Sequence, residues 1–381
     1  MHLERLSLED FRNYARAAVE FAPGLNLIVG RNAQGKTNLL EAAYCLSGLP
    51  SPRALDPVLV RTDTEKALIH ADITRGERTV HVDIEIKPGR GRRVQVNRAA
   101  LPRGRSLGEV LVAVFFGPDE LGLIKGSPEG RRRFIDELVV KLRPAREGVR
   151  REWERVLKQR NALLRSARSG EGDLEDLVVW DDALCTAGAE LAAVRLSALA
   201  ALRPLAAGRF EAVAGGGAME LGYSSSWLDN DLYAAAMHAP EEIALDDLAR
   251  SLRSRLGQLR GPELERGVTL AGPQRDDIVV RLAGDAGLID ARTHASQGDQ
   301  RTGALALKLA EQDLLTDDLG DRPLLLLDDV FSELDPARRS WLAKSVQEMG
   351  QTLVTTTALE DLEVAGIQRV FEVDAGQVSL R

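Results

Sequence analysis

Apolar and polar positions alternate in short runs through the first hundred residues: Leu3 to Leu8, Val19 to Phe21, Leu68 to Ile73 and Thr79 to Ile86. A period of two marks strands with one buried face. The run Leu25 to Val29 also reads as a strand, and a helix opens soon after it at Asn38-Leu39-Leu40-Glu41. Gly76-Glu77 and Pro88-Gly89-Arg90-Gly91 are turn signals that end hairpins. From Arg131 to about Val213 the repeat becomes helical. Trp153, Val156, Leu157, Leu163 and Leu164 share one face, and Leu184, Leu191, Val194 and Ala198 another. Pro144 and Gly170-Glu171-Gly172 interrupt it, and Gly215-Gly216-Gly217 ends it. Met219 to Tyr223 reads as a strand and Leu245 to Leu259 as one more helix. Near the end, Pro323 leads four leucines straight into Asp328 and Asp329, the pattern of a parallel strand buried on both faces. No internal repeat and no sustained heptads appear, so the helical region supports only a short hairpin.

Gly30-Arg31-Asn32-Ala33-Gln34-Gly35-Lys36-Thr37 then gains meaning from its context, with a strand before it and the helix opened by Asn38 after it. It fits the phosphate-binding loop G-x-x-x-x-G-K-[ST], in which two glycines let successive amides turn toward phosphate oxygens at a helix N-terminus. Lys36 is placed to reach the β- and γ-phosphates of ATP, and Thr37 offers its hydroxyl to Mg²⁺. Asp328, at the C-terminal end of its strand, is the second metal residue, and Asp329 is the group that polarises the attacking water. A core strand that simply ends in a turn accounts for the acidic pair equally well taken alone; the phosphate loop tips the balance.

Ser296-Gln297-Gly298-Asp299-Gln300-Arg301 precedes Ala304, Leu305, Leu307 and Ala310 at helical spacing, so Ser296 is expected to cap that helix. The hexapeptide resembles the signature motif S-G-G-Q of ABC-type ATPases, with Gln297 for the first Gly and Asp299 inserted before Gln300. That resemblance implies that Ser296, Gln297 and Gly298 contact the γ-phosphate of nucleotide held by a second subunit. Ser332-Glu333-Leu334-Asp335 resembles the D-loop of the same superfamily, and Leu353 to Thr357 the next strand. Thr355-Thr356-Thr357 stands where that superfamily has a switch histidine, and Asp329 where it has a glutamate; both departures imply slow turnover.

Composition narrows the setting. The chain has 381 residues, 44% of them apolar, enough for one large domain and a smaller lobe. Two cysteines, Cys45 and Cys185, fall inside predicted helices without metal-like spacing, which fits reduced thiols. The start lacks an apolar signal run and no uninterrupted apolar stretch approaches a membrane span, so a cytoplasmic protein with no membrane partner is expected. The net charge is −8, yet residues 86–168 hold 21 basic against 9 acidic side chains, an excess of 12 that leaves −20 for the rest. Such segregation is the pattern of a DNA phosphate footprint, or else of a solvated helix face balanced by acids from elsewhere. In Arg131-Arg132-Arg133, one face of the helix must pack, and an arginine stem can do so.

Over nearly its whole length the chain resembles the bacterial RecF proteins of recombinational DNA repair. The resemblance is carried by Leu6 to Tyr14, Gly30 to Asn38, Phe116 to Leu121, Lys125 to Pro128, Arg131 to Asp136, Gly272 to Asp277, the Ser296 motif, and Leu326 to Asp335. It implies an α/β fold: an ABC-type P-loop ATPase lobe with a mixed sheet, plus a mainly helical second lobe without a long coiled coil. Residues 1–139 and 261–381 are expected to form the ATPase lobe and 140–260 the helical one. It also implies an ATP-dependent homodimer that clamps double-stranded DNA and single/double-strand junctions, a weak DNA-stimulated ATPase used as a switch, nucleoid association, and RecR with RecO as partners. Another ABC-type machine, transporter-like or OLD-like, is the alternative. Arg12 is a phosphate contact by analogy with the related SMC-like heads, and Gly30 to Asn38 hold the nucleotide. Asp119 or Glu120 either replaces the usual metal-binding glutamine or caps a turn. Gly272 to Asp277 either acts directly or forms a turn fixed by Pro273 with an ion pair from Arg275 to a carboxylate.

Overall fold

The computed structural model describes residues 1–102, 105–170, 174–284, 287–357 and 365–381, and the chain divides into two compact units. The first comprises Met1–Leu121, Arg209–Gly216 and Arg301–Arg381; the second comprises Gly122–Gly208 and Gly217–Gln300. The expected breaks at 139 and 260 therefore differ from those observed: residues 122–139 and 261–300 group with the second unit. The short segment 209–216 belongs to the first because Arg209 is held through two nitrogens by Asp313 on the helix Gln297–Leu319.

Two sheets build the first unit. One is antiparallel, in the order Tyr14–Glu20, His2–Phe11, Ala67–Arg75, Arg78–Lys87, Gly91–Val96 and Ala99–Ala100. Its inner face alternates as the period-two pattern demands, with Leu6, Leu8, Ile69, Ile73, Val82, Ile84 and Ile86 buried. The other runs Gln377–Leu380, Ile367–Asp374, Leu25–Val29, Thr352–Thr356, Leu324–Asp328 and Ala113–Phe116, with every pairing parallel except the first. Its three central strands are buried at every position, and for Leu324–Asp328 this is why the sequence reads as an apolar run without alternation. Register aligns their C-terminal ends, Asp328 beside Thr355 and Thr356 beside Val29. The helix Lys36–Cys45 starts from that end.

In the second unit, helices Pro128–Leu142, Glu147–Arg168, Leu174–Ala214 (to Gly208) and Leu245–Arg266 accompany a three-stranded antiparallel sheet, ordered Gly287–Asp290, Asp277–Gly284 and Met219–Ser224. Trp153, Val156, Leu184 and Leu191 meet Trp227, Leu248, Leu252 and Leu256 in one core. The interruption at Pro144 is present, and Gly170 takes the left-handed conformation; positions 171–173 lie outside the described residues. The helix expected to stop at Leu259 continues through Pro262 to Arg266 and ends at left-handed Gly267. Tertiary pairing overrides the proline: fully buried Arg160 binds Glu263 at 2.6 Å, Asp181 at 2.7 Å and the Thr269 hydroxyl at 2.8 Å. Among the described residues, Leu177–Ala214 is the one helical stretch long and apolar enough to span a bilayer, and most of it is buried.

Candidate functional site

Residues 30–37 form the loop expected of them. A Cβ on Gly30 would lie 2.3 Å from the Val373 carbonyl, and Gly35 has φ near +121° with Asn13 pressed against it, so neither position accepts a side chain. The loop is braced from outside by Leu6 to Tyr14. Asn13 donates to the Gln34 carbonyl at 2.8 Å and accepts from Asn38 at 2.8 Å, and the buried Tyr14 hydroxyl donates to the Gly35 carbonyl at 2.9 Å. The Ala375 amide donates to the Gln34 side chain at 2.6 Å from the far end of the chain. Sequence pattern gave no sign of these supports, because each joins segments remote along the chain.

The cavity beside the loop measures about 210 Å³ and is lined by Asn32, Ala33, Gly35, Lys36, Thr37, Asn38, Arg53, Asp328 and Asp329. Lys36 folds back over the loop, donating to the Gly30 carbonyl at 2.6 Å and the Arg31 carbonyl at 2.9 Å. Burial lowers its pKa, and the charges of Asp329 and Asp328 oppose that shift. Thr37 donates to Asp328 Oδ1 at 2.8 Å across 291 residues of chain, and Thr355 donates to the same oxygen at 2.7 Å. Burial raises the Asp328 pKa, while these two hydroxyls and Arg53 hold it down. A hydroxyl and a carboxylate side by side are the hard oxygen donors that a small divalent cation takes. Among the described residues no group of three or more His, Cys, Asp or Glu side chains is placed to hold a metal alone. A cation bound here would complete its shell with oxygens from water or from its ligand.

Asp329 departs from ordinary backbone, with φ near +51°, a conformation that costs a non-glycine residue roughly 1–3 kcal/mol. Its amide donates to Thr355 Oγ1 at 2.9 Å, its carbonyl accepts from Ser332 at 2.8 Å, and its buried Oδ1 has no hydrogen-bond partner. Thr355 thus touches both acids: it fixes the Asp328 carboxylate and the Asp329 backbone. Arg53, unremarked by any motif, lines the cavity, with a loose 3.8 Å ion pair to Asp119. Glu120 lies with Asp119 in the short turn Pro118–Leu121. Arg12 does not line the cavity; Glu41 grips it through Nε at 2.8 Å and Nη2 at 2.9 Å.

The Ser296 motif lies in the second unit up to Gln300. Ser296 accepts from the Asp299 amide at 3.1 Å and donates to the Asp299 carboxylate at 2.7 Å, so it caps the helix and Asp299 orients the capping hydroxyl. Ser296 and Gln297 are exposed, Gly298 is half-buried, and buried Gln300 anchors the turn on the Ala291 and Arg292 carbonyls.

Gly272 to Asp277 organises the second unit. Asp276 is buried and accepts from Tyr223 at 2.8 Å and Trp227 at 3.1 Å; Asp277 takes both prongs of Arg131 at 2.8 Å. Arg195 binds the Asp136 carboxylate and the Pro273 carbonyl, and Arg132 the Asp276 carbonyl. The ion pair expected from Arg275 is replaced by these, since Arg275 instead donates to the Thr269 carbonyl at 3.2 Å. Much of the basic excess is likewise neutralised locally. Arg150, Arg151 and Arg155 pair with Glu154, Glu147 and Glu152 on their own helix, and Arg131 and Arg160 are buried.

Comparison with known proteins agrees with this geometry. The RecF/RecN/SMC N terminal domain model matches residues 2–379. The DNA replication and repair protein RecF of Streptomyces avermitilis is 45% identical over 95% of both chains, and that of Frankia alni 44% identical over 99% of both. A solved structure of the recombination mediator protein RecF with ATP, from the RecFOR pathway, superposes with a TM-score of 0.87 at 29% identity, covering 100% of this chain and 97% of that one. An Smc head bound to the C-winged helix domain of ScpA shares the fold alone, with a TM-score of 0.56 at 16% identity, covering 100% of this chain and 97% of that one.

Proposed function

This chain belongs to the RecF family, and from that membership we propose an ATP-dependent mediator of recombinational DNA repair in which nucleotide joins two copies head to head. The loop amides of residues 30–38 and Lys36 hold the phosphates, with Arg53 a further cation at their edge. Thr37 and Asp328 are the residues that would hold Mg²⁺, which when bound neutralises charge on the phosphate oxygens. Asp329 orients the attacking water. Its short carboxylate, and Thr355-Thr356-Thr357 in place of a histidine, suit slow hydrolysis that resets a switch. Exposed Ser296 and Gln297, with half-buried Gly298, at a capped helix start, contact the γ-phosphate of the partner copy. The observation that carries the reading is the Thr37–Asp328 bond, which joins phosphate loop and acidic strand into one site.

The homodimer is read as clamping duplex DNA and single/double-strand junctions in the cytoplasm, at the nucleoid, to help RecR and RecO load recombinase at gaps. Linkage gives the clamp its logic: ATP shared by two copies stabilises the dimer, and DNA that prefers the dimer must tighten ATP binding. Solution mass with and without ATP and Mg²⁺ tests it, for wild type, Lys36→Met and Ser296→Arg, with and without duplex DNA. The expected result is a wild-type monomer that dimerises only with ATP, more so with DNA, while both variants stay monomeric. A mass indifferent to ATP, or a Ser296→Arg dimer, would sink the composite site.

A further inference from the structure

Glu41 is completely buried in the helix that follows the phosphate loop and does not itself line the cavity. Its carboxylate collects three donors: Arg12 Nε, Arg12 Nη2 and the Ser51 hydroxyl. Because the Ser51 proton is spent on Glu41, the lone pairs of that hydroxyl face the chain. They accept the amides of Arg53 at 3.1 Å and Ala54 at 3.2 Å. The backbone that carries Arg53 is therefore fixed, while its guanidinium is held by side chains only through a loose 3.8 Å ion pair to Asp119 among the described residues. Arg12, held by the same carboxylate, immediately precedes Asn13 and Tyr14, which brace the loop from its other side.

We propose that Glu41 is a positioning residue that sets both flanks of the phosphate pocket at once, the Arg53 turn through Ser51 and the loop brace through Arg12. The inference rests on reading the cavity as a nucleotide site. A buried carboxylate is needed because all three partners are donors. Glutamine at this position must turn its amide nitrogen toward the guanidinium or the hydroxyl, donor against donor. Aspartate keeps the charge and loses one methylene of reach.

Equilibrium binding of ATP with Mg²⁺ tests the role. Glu41→Gln is expected to weaken binding about ten-fold, as is Arg53→Ala, with most of the loss restored in Glu41→Asp. Because Glu41 acts partly through Arg53 and partly through the loop brace, the double variant Glu41→Gln/Arg53→Ala is expected to bind more weakly than Arg53→Ala alone yet fall clearly short of the about hundred-fold loss that independent residues would give. That larger loss, or wild-type binding by Glu41→Gln, overturns the proposal. Amide hydrogen exchange over residues 51–55 without nucleotide supplies a second readout: faster in Glu41→Gln, unchanged in Arg53→Ala. Unchanged exchange in Glu41→Gln also overturns it. A wild type that binds no ATP fails the functional reading instead, and the exchange still decides whether Glu41 holds the turn.

Discussion

Thr355 shows how a single hydroxyl can serve two acids. It donates to Asp328 Oδ1 and accepts the Asp329 amide, so it favours the charged form of one carboxylate against burial and holds the other's backbone in its left-handed kink. Removing it in Thr355→Val strands both, at a cost of roughly 1–3 kcal/mol of stability. Asp328 loses a bond that lowers its pKa, so burial drives the pKa further up. The acidic limb of the pH profile of ATP hydrolysis should therefore move to higher pH in Thr355→Val and return in Thr355→Ser. Superimposable profiles for wild type and Thr355→Val would remove Thr355 from the mechanism. Lys36, Thr37, Asp328 and Asp329 could be named from sequence because glycine spacing and an apolar strand are local signals. Arg53 and Glu41 could not, since their roles arise only when distant segments pack. Thr355 and Arg12 were named by resemblance alone, and neither the two bonds of Thr355 nor the grip of Glu41 on the Arg12 guanidinium was legible.

At the scale of elements, the strand Leu324–Asp328, buried on both faces, announced itself as an unbroken leucine run, and the capped helix after Ser296 as a serine before a helical repeat. Less legible was the turn Gly272 to Asp277, whose partners lie on two helices, one strand and the loop at Trp227. Its chemistry has a measurable consequence. Burial pushes the Asp276 carboxyl up to about 6 from an ordinary 3.8, against the bonds from Tyr223 and Trp227 and the charge of Arg195. The folded state then holds the proton more tightly than the unfolded one. The contribution to stability is full below about pH 3.8 and is lost as pH rises through about 6, a difference of order 3 kcal/mol. Other carboxylates tilt the curve oppositely, so the comparison must be differential. Subtracting the Tm of Asp276→Asn from that of wild type between pH 4.5 and 7.5 should give a difference that falls with rising pH. A flat difference would mean that Asp276 does not titrate there.

The charge of the whole chain poses a question that counting alone leaves open. A net −8 with an excess of 12 in residues 86–168 points to a DNA footprint, but the structure divides that excess into spent and unspent charge. On the helix Glu147–Arg168, Arg150, Arg151 and Arg155 each face a glutamate three or four residues away, a pairing that lowers their pull on phosphate. In the first unit, Arg90, Arg93 and Arg98 sit on and beside the strand Gly91–Val96, with no carboxylate partner among the described residues. Backbone recognition of DNA depends on charges free to displace counterions, so these three should carry more of the affinity than the helical three. Replacing Arg90, Arg93 and Arg98 together with Gln is expected to weaken duplex binding and flatten log K against log salt by up to about 2.7, or about 0.9 per lost contact. The same change at Arg150, Arg151 and Arg155 should alter the slope by less than about 1, because each glutamate left behind was already cancelling its arginine. Unrelated duplexes of equal length should compete equally in both cases, since phosphate contacts carry no base sequence. If the helical triple flattens the slope and the strand triple does not, the footprint lies on the second unit and local pairing is no guide to it.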